Sequence, residues 1–306
     1  MVNNYIVLLL IAFLFRPGVL NAQEIRIFTV EDFDLKGAVR SCLVSTKYGK
    51  EEYEFNEEGL LTKSVTRYND NDYDSTHYSY VEGMLMEKRL ENYRDKIFVP
   101  ASSIANIYSV DSTENLKITE KIISYDKEFL DQYEYFYTND TLRRIIRMNN
   151  EGIDETLISY ELVKGELTKT YTLNGVPEKS IRTSFKKDQD SIISKTVLVK
   201  QFLDGQPYLA TEEVFDGRNA LASKTSFSYN TKVKQFTIER TEKYEYDASG
   251  MLLNIESETS GIPEKKEFVY QLDPTGNWIK EIITPDNTYK TRRITYHEAA
   301  VEEQKK

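Results

Sequence analysis

Short stretches in which apolar and polar residues alternate run along most of the chain, in pairs that flank a polar loop. The clearest pair lies between Tyr244 and Ile255, where Tyr244 and Tyr246 precede the loop and alternate apolar residues follow it. Alternate side chains of a strand point to the same face, so this pattern indicates two β-strands. Gly250 ends the loop and can adopt a positive φ without a Cβ clash. The segment therefore predicts a β-hairpin.

Variants of this hairpin recur along the chain. A glycine, asparagine or aspartate marks the turn of each copy, and successive markers are 24 to 32 residues apart: Gly59, Gly83, Asn115, Asp140, Gly165, Asp190, Asn219, Gly250 and Gly276. That interval holds two strands, and repeats of this kind bury their apolar faces against their neighbours. Short loops favour antiparallel pairing. We predict an all-β fold, an antiparallel meander of about nine hairpin repeats that curls into an open barrel or spiral sheet.

The amino terminus reads as an export signal. Tyr5 to Phe15 is an apolar run too short to span a bilayer, and Pro17 and Ala22 provide a helix break and a small residue for cleavage. We expect cleavage between Ala22 and Gln23, although the only positive charge before the apolar run is the amino terminus, which leaves an uncleaved anchor as the alternative. The predicted organisation is a signal peptide over 1–22, a single β-repeat domain over 23–297 and a charged, disordered tail over 298–306.

After cleavage, the first segment holds a short predicted strand, Ile25 to Phe28, and the sheet proper begins at Leu35 to Ser41. The whole chain carries 40 basic and 50 acidic side chains, for a net charge of −10. Such a surface repels phosphate backbones and anionic lipids, so we expect no nucleic-acid partner and no stable membrane insertion after signal cleavage. The protein should be periplasmic or secreted.

The repeat resembles a known family. Tyr244-Glu-Tyr-Asp247, followed by Gly250 and Leu252, resembles the YD repeat of Rhs proteins, and the likeness covers residues 35 to 296. Three further segments look like the small exported Rhs-repeat-like proteins of Gram-negative bacteria: Leu35 to Ser41, Gly276 to Trp278 and Thr291 to Tyr296. The resemblance implies a β-strand spiral or curled sheet. Large Rhs proteins form shells around a toxin segment, but nine units are too few for that, and no toxin domain follows Tyr296.

Residues that could carry chemistry are sparse. His77 and His297 are the only histidines, and neither has a neighbour at catalytic or metal-binding spacing; we expect His297 to be solvated. Cys42 lies in an apolar run, which predicts a buried side chain rather than a nucleophile. Glu57 and Glu58 are adjacent, so on a strand they would point to opposite faces and make a poor acid–base pair for a hydrolase.

A possible calcium loop begins at Asp70, Asp72 and Asp74, which occupy alternate positions. The loop fails further on, because Ser75 stands where a glycine is needed and Val81 stands where a bidentate glutamate is needed. A polar hairpin tip is the better interpretation, and the sequence leaves open whether a metal binds there.

An exposed aromatic platform is the one binding surface that the sequence suggests. Phe268, Tyr270, Trp278 and Tyr296 could stack on sugars or peptides, although aromatic residues more often pack in the core of a sheet. We assign no catalytic, cofactor-binding or metal-binding residues, no cofactor and no enzymatic activity. The primary hypothesis is a non-enzymatic exported scaffold or interaction module with an envelope or extracellular protein or glycan as its partner. The alternative is a glycan- or peptide-binding module that uses the aromatic face near Trp278.

Overall fold

The computed structural model describes residues 25–126, 128–187 and 193–298. The signal peptide, its cleavage site, the marker Asp190 and the tail from 299 onward lie outside these residues. The strands are β1 (Val39–Thr46), β2 (Gly49–Phe55), β3 (Leu61–Arg67), β4 (Tyr73–Val81), β5 (Met84–Arg94), β6 (Ile97–Phe98), β7 (Ile104–Asp111), β8 (Lys117–Ser124), β9 (Phe129–Thr138), β10 (Thr141–Asn149), β11 (Gly152–Val163), β12 (Glu166–Leu173), β13 (Val176–Lys187), β14 (Ile193–Leu203), β15 (Gln206–Phe215), β16 (Leu221–Asn230), β17 (Gln235–Tyr246), β18 (Leu252–Thr259), β19 (Ile262–Leu272), β20 (Trp278–Thr284) and β21 (Thr288–Tyr296). Two short 3-10 helices span Val30–Phe33 and Pro100–Ser102.

The strands form an antiparallel meander that closes on itself. Each strand pairs with the next along the chain, except that the two-residue β6 pairs with β5 while β5 itself goes on to pair with β7. The last strand then pairs with the first, with Cys42 opposite Ile294 and Val44 opposite Arg292. The result is a closed barrel of 20 strands. The expectation of an open barrel or spiral is therefore wrong, because β1 and β21 satisfy each other's edge hydrogen-bonding groups instead of leaving two free edges.

Antiparallel order places successive connections at opposite ends of the barrel. We call the end that holds the β2–β3 connection the near rim, and the end that holds the β1–β2 connection the far rim. All eight turn markers within the described residues lie at the near rim. Seven of them have positive φ, whereas Asn115 does not. Among the described residues, no helix is long and apolar enough to cross a membrane.

Four near-rim turns share one hydrogen-bonding pattern. A side-chain oxygen of Asn56, Asp216, Asp247 or Asp273 accepts the backbone N–H four residues later, at 2.8 to 2.9 Å. The residue three positions after each has positive φ. A β-bulge follows each of these turns. For example, the register of the strand pair shifts next to the pair Phe55–Leu61 and next to the pair Tyr246–Leu252. Short polar side chains stabilise such turns by replacing a backbone acceptor.

Tyrosines tie neighbouring hairpins together near the same rim. The hydroxyl groups of Tyr80, Tyr160 and Tyr246 each donate a hydrogen bond to the carbonyl oxygen of a leucine in the preceding strand, at 2.7, 3.0 and 3.0 Å. In Tyr78-Ser-Tyr80 and Tyr244-Glu-Tyr246 the donor is the second tyrosine of the pair. In each of these two pairs, the second tyrosine therefore links two strands through its hydroxyl group.

The two faces of the sheet differ in burial. One face carries most of the buried apolar side chains, including Tyr135, Ile158 and Phe268, while the other carries exposed Lys, Glu, Arg, Ser and Thr residues. Side chains converge on the concave side of a closed sheet and diverge on its convex side. The apolar face therefore lines the interior of the barrel, and we call it the inner face; the charged face is the outer face.

The near-rim turn at Asp273 gives a direct test of the repeat geometry. Gly276 has φ +86°, and an added Cβ would meet no atom within 4 Å, so only backbone strain limits substitution. We expect Gly276→Val to be less stable than Gly276→Asn by about 1 to 2 kcal/mol, because valine is disfavoured in the left-handed region that asparagine tolerates. Thermal melting of both variants measures the difference. Equal melting temperatures would mean that the turn is not constrained.

Candidate interaction surface

The amino-terminal segment, residues 25–38, crosses the inner face at the near rim. Phe33 packs on Tyr53 with ring centroids 4.4 Å apart, and Phe28 meets Tyr78 edge-on at 6.4 Å. The backbone N–H of Val30 donates to the carbonyl of Gly59 at 3.0 Å. Apart from one isolated bridge between Thr29 and Leu60, the segment is not a strand, so the strand predicted at 25–28 is wrong. Aromatic packing on the wall, rather than a ladder of backbone bonds, holds it.

A buried asparagine fastens this segment where the barrel closes. The Asn277 side chain is 1% exposed. Its oxygen accepts a hydrogen bond from the backbone N–H of Lys36 at 2.7 Å. Its amide nitrogen donates to the Lys36 carbonyl oxygen at 2.9 Å and to the Tyr296 hydroxyl at 2.8 Å. The Tyr296 hydroxyl in turn donates to the carboxylate of Asp273. The segment, the β19–β20 turn and the last strand are thereby joined through one amide.

The predicted aromatic platform is not an open surface. The Arg292 guanidinium lies over the Trp278 ring, 3.7 Å from its centroid, and also donates to the carbonyl oxygens of Phe33 and Asp34. Burial lowers the pKa of Arg292. Phe268 is buried, and Tyr296 packs against the same core as Trp278. These aromatic side chains are used by the fold because the amino-terminal segment brings its own backbone to this corner of the barrel.

A second polar cluster surrounds Glu120, a buried carboxylate on the inner face. Glu120 is 1% exposed and accepts hydrogen bonds from Asn106, Tyr108 and Tyr135 at 2.6, 2.9 and 2.7 Å. Burial and the adjacent carboxylate raise the pKa of Tyr135, and burial lowers the pKa of Lys88, whose charge Glu120 in turn stabilises. A cavity of about 110 Å³ separates these groups from Ile25, Arg26 and Phe28 of the amino-terminal segment. The residue pattern does not reveal this site, because β7, β8 and β9 each supply part of it.

The three aspartates of the suspected calcium loop do not converge on a common point. Asp70 is exposed, Asp72 accepts bonds from the Asn69 side chain and the Asp95 N–H, and Asp74 accepts bonds from Tyr68 and Arg94. Across the described ranges, no group of three His, Cys, Asp or Glu side chains is arranged to hold a metal ion. The segment forms a hairpin tip at the far rim.

The remaining candidates occupy structural positions. His297 is half-buried at the β1–β21 pairing, with its ring nitrogen 3.1 Å from the Phe55 carbonyl, which corrects the solvated position expected for it. His77 lies on the outer face beside Ser75. Cys42 is buried as predicted, and burial raises the pKa of its thiol to about 11. Glu57 and Glu58 are exposed in the β2–β3 turn rather than on a strand.

The far rim carries a surface that no single motif of the sequence indicates. Every one of its ten connections has at least one large apolar side chain, in the turn or in an adjoining strand end, that is between 37% and 71% exposed. We call these thirteen side chains the far-rim ring: Tyr48, Tyr68, Ile97, Phe129, Leu130, Ile153, Val176, Leu203, Tyr208, Val233, Ile238, Ile262 and Tyr289. Connections of a meander recur every second strand, so neighbouring members are about 10 Å apart around the rim.

The near rim differs from the far rim in the described part of the chain. Its β2–β3, β7–β8, β9–β10 and β15–β16 connections have no large exposed apolar side chain. The apolar residues that remain there form separate groups, such as Val81 with Met84 and Leu162 with Val163. Exposed large apolar side chains at every connection of one rim are more than the single scattered ones usual on a monomer, and grouped exposed apolar residues often mark an interaction site. The far-rim ring is therefore the strongest candidate for a functional surface.

Comparisons with known proteins add little to this picture. No family model matches the sequence, and no curated protein does. Among solved structures, a porin-like protein from Bacteroides uniformis aligns with 84% of this chain and 96% of its own at 10% identity and a TM-score of 0.36. A porin-like protein from Bacteroides vulgatus aligns with 85% and 99% at 9% identity and a TM-score of 0.27. The TcdB2-TccC3-TEV structure aligns with 77% of this chain and 22% of its own at 9% identity and a TM-score of 0.21. Superpositions this weak support no functional argument.

The Glu120 cluster predicts an order of stabilities. Glu120→Leu leaves three donors without their acceptor and should cost about 3 to 5 kcal/mol, because a buried polar group that loses its partner pays its full desolvation cost. Tyr135→Phe removes one donor and should cost about 1 to 2 kcal/mol. Urea denaturation of both variants measures these values. Similar losses for the two substitutions would mean that the carboxylate does not organise the cluster.

Proposed function

We propose that this protein is a non-enzymatic exported scaffold that docks a partner through its far-rim ring. The observation that carries the proposal is the presence of an exposed apolar side chain at all ten far-rim connections, against a discontinuous pattern at the near rim. Burying large apolar side chains favours association by roughly 25 cal/mol for each Å² removed from water. A rigid closed barrel holds these side chains in fixed positions, which lowers the entropic cost of binding.

The surroundings of Glu120, Cys42 and His297 support a non-enzymatic role. Glu120 is bonded to three side chains, Cys42 is buried with a raised pKa, and the His297 ring contacts a backbone carbonyl. Catalytic groups need access to a substrate and a partner that shares the proton. Among the described residues, each of these groups instead has a structural role.

A water-facing barrel is supported by its outer face. Membrane-spanning barrels present an apolar band about 25 Å tall to lipid. Here charged side chains recur on the outer face of strands around the barrel, among them Glu54, Arg89, Lys121, Arg182, Lys243 and Arg293. Burying such groups in hydrocarbon costs several kcal/mol each. We therefore propose that the exported protein stays in the aqueous phase of the periplasm or outside the cell.

Site-specific photo-cross-linking in cells that export the protein tests docking at the far rim. Tyr208 is 52% exposed and belongs to the far-rim ring, so a benzophenone amino acid in its place should give a discrete cross-linked adduct. The same probe in place of Phe185, an aromatic residue of the near rim that is 64% exposed, should give none. Equal adducts from both positions, or none from Tyr208, would contradict the proposal.

The glycan- or peptide-binding alternative has its own measurement. If a ligand stacked on Trp278, it would displace Arg292 from the ring and change the fluorescence of this single tryptophan. We expect titration with an oligosaccharide and peptide panel to leave the emission spectrum unchanged, because the guanidinium already occupies that ring face. A saturable shift in this emission would favour the alternative.

A further inference from the structure

We infer that the partner of the far-rim ring is a second copy of this chain, seated rim to rim about a twofold axis. This inference rests on the proposed docking at the far rim and names its occupant. The apolar side chains are distributed around a circle and not gathered in one patch. A partner that covers all of them must present a surface at least as wide as the rim. A second barrel of the same size does so, and an isologous pair uses the same surface on both copies.

The exposed apolar area is sufficient for such a pair. At roughly 100 Å² of exposed surface each, the thirteen side chains would contribute on the order of 1,000 Å² per copy, whereas a stable interface buries about 800 Å² per partner. A small ligand or one peptide strand would leave most of the ring in water. The area therefore favours a partner that covers the whole rim.

Charge on the same rim favours a protein copy over a lipid surface. Exposed acidic side chains accompany the ring at most connections, for example Asp70, Glu151, Asp204 and Asp286, while exposed lysines gather at a few others, for example Lys232 and Lys234. An anionic membrane would repel the acidic connections. A second copy presents both signs, so basic connections of one ring can face acidic connections of the other.

Sedimentation equilibrium of the purified mature protein tests the inference. We expect a concentration-dependent mass that reaches twice the monomer value. Leu203→Lys with Ile262→Lys, two exposed members of the ring, should weaken the dimer at least tenfold, because each buries a lysine in an apolar contact. Val81→Lys with Leu162→Lys, at near-rim positions of similar exposure, is the matched control and should leave the dimer unchanged.

Other outcomes separate the possible occupants. A wild-type monomer up to about 100 µM, or a dimer that the near-rim pair weakens as much as the far-rim pair, would overturn the second-copy inference. A monomer that floats with phosphatidylcholine vesicles would overturn it in favour of lipid. If the purified chain is monomeric while Tyr208 cross-links to a different protein in cells, docking at the far rim stands and the second copy does not. If there is neither a dimer nor a cross-link, both fail.

Discussion

The pairing of β1 with β21 is the constraint on which the rest of the molecule depends. Without it, a meander of 20 strands would leave two long edges, each with a row of unpaired backbone groups open to other chains. The closing strands lie some 250 residues apart in sequence, and their ladder runs from the pair Val39–Tyr296 to the pair Ser45–Thr291. Extra contacts gather at this point: Asn277 bonds to Lys36, Arg292 bonds to Phe33 and Asp34, and His297 bonds to Ala38. The amino-terminal segment thus fastens the junction while it covers part of the inner face.

Buried polar groups give the inner face its specific arrangement. Glu120, on β8, accepts hydrogen bonds from side chains of β7 and β9, and Asn277, in the β19–β20 turn, bonds to the amino-terminal segment and to β21. A buried polar group that is fully bonded tolerates few alternative arrangements, because any shift in register would leave donors without acceptors. Apolar packing alone would permit neighbouring strands to slip by two residues with little change in the buried area. These clusters therefore favour the observed register, together with the short turns that join the strands.

The two rims differ for a local reason. At the near rim, several connections use a side-chain oxygen to cap a longer polar loop, followed by a bulge. At the far rim, tight turns such as Asn174-Gly175 and Ser260-Gly261 bring strand ends to the extremity of the barrel. Strand ends carry β-forming apolar residues such as Val176 and Ile262, which have no layer beyond them to pack against. Two-residue turns also occur at the near rim, at Glu82-Gly83 and Lys164-Gly165, and apolar strand ends are exposed beside them as well. Among the described residues such turns are more frequent at the far rim, so exposed apolar strand ends are more numerous there.

The sequence determined the local structure of this protein. Alternation of apolar and polar residues predicted strands, and Gly250 and Gly276 marked turns in which the structure has positive φ, because both signals depend only on neighbouring residues. The burial of Cys42 followed from its apolar surroundings.

Tertiary structure decided the rest. Closure depends on backbone bonds between β1 and β21, which no side-chain pattern encodes. Trp278 is covered because a distant segment brings Phe33 and Asp34 to the Arg292 that lies over its ring. Each residue of the far-rim ring can be located beside its own turn in the sequence. They lie at the same end of the barrel because successive connections of an antiparallel meander alternate between its two ends.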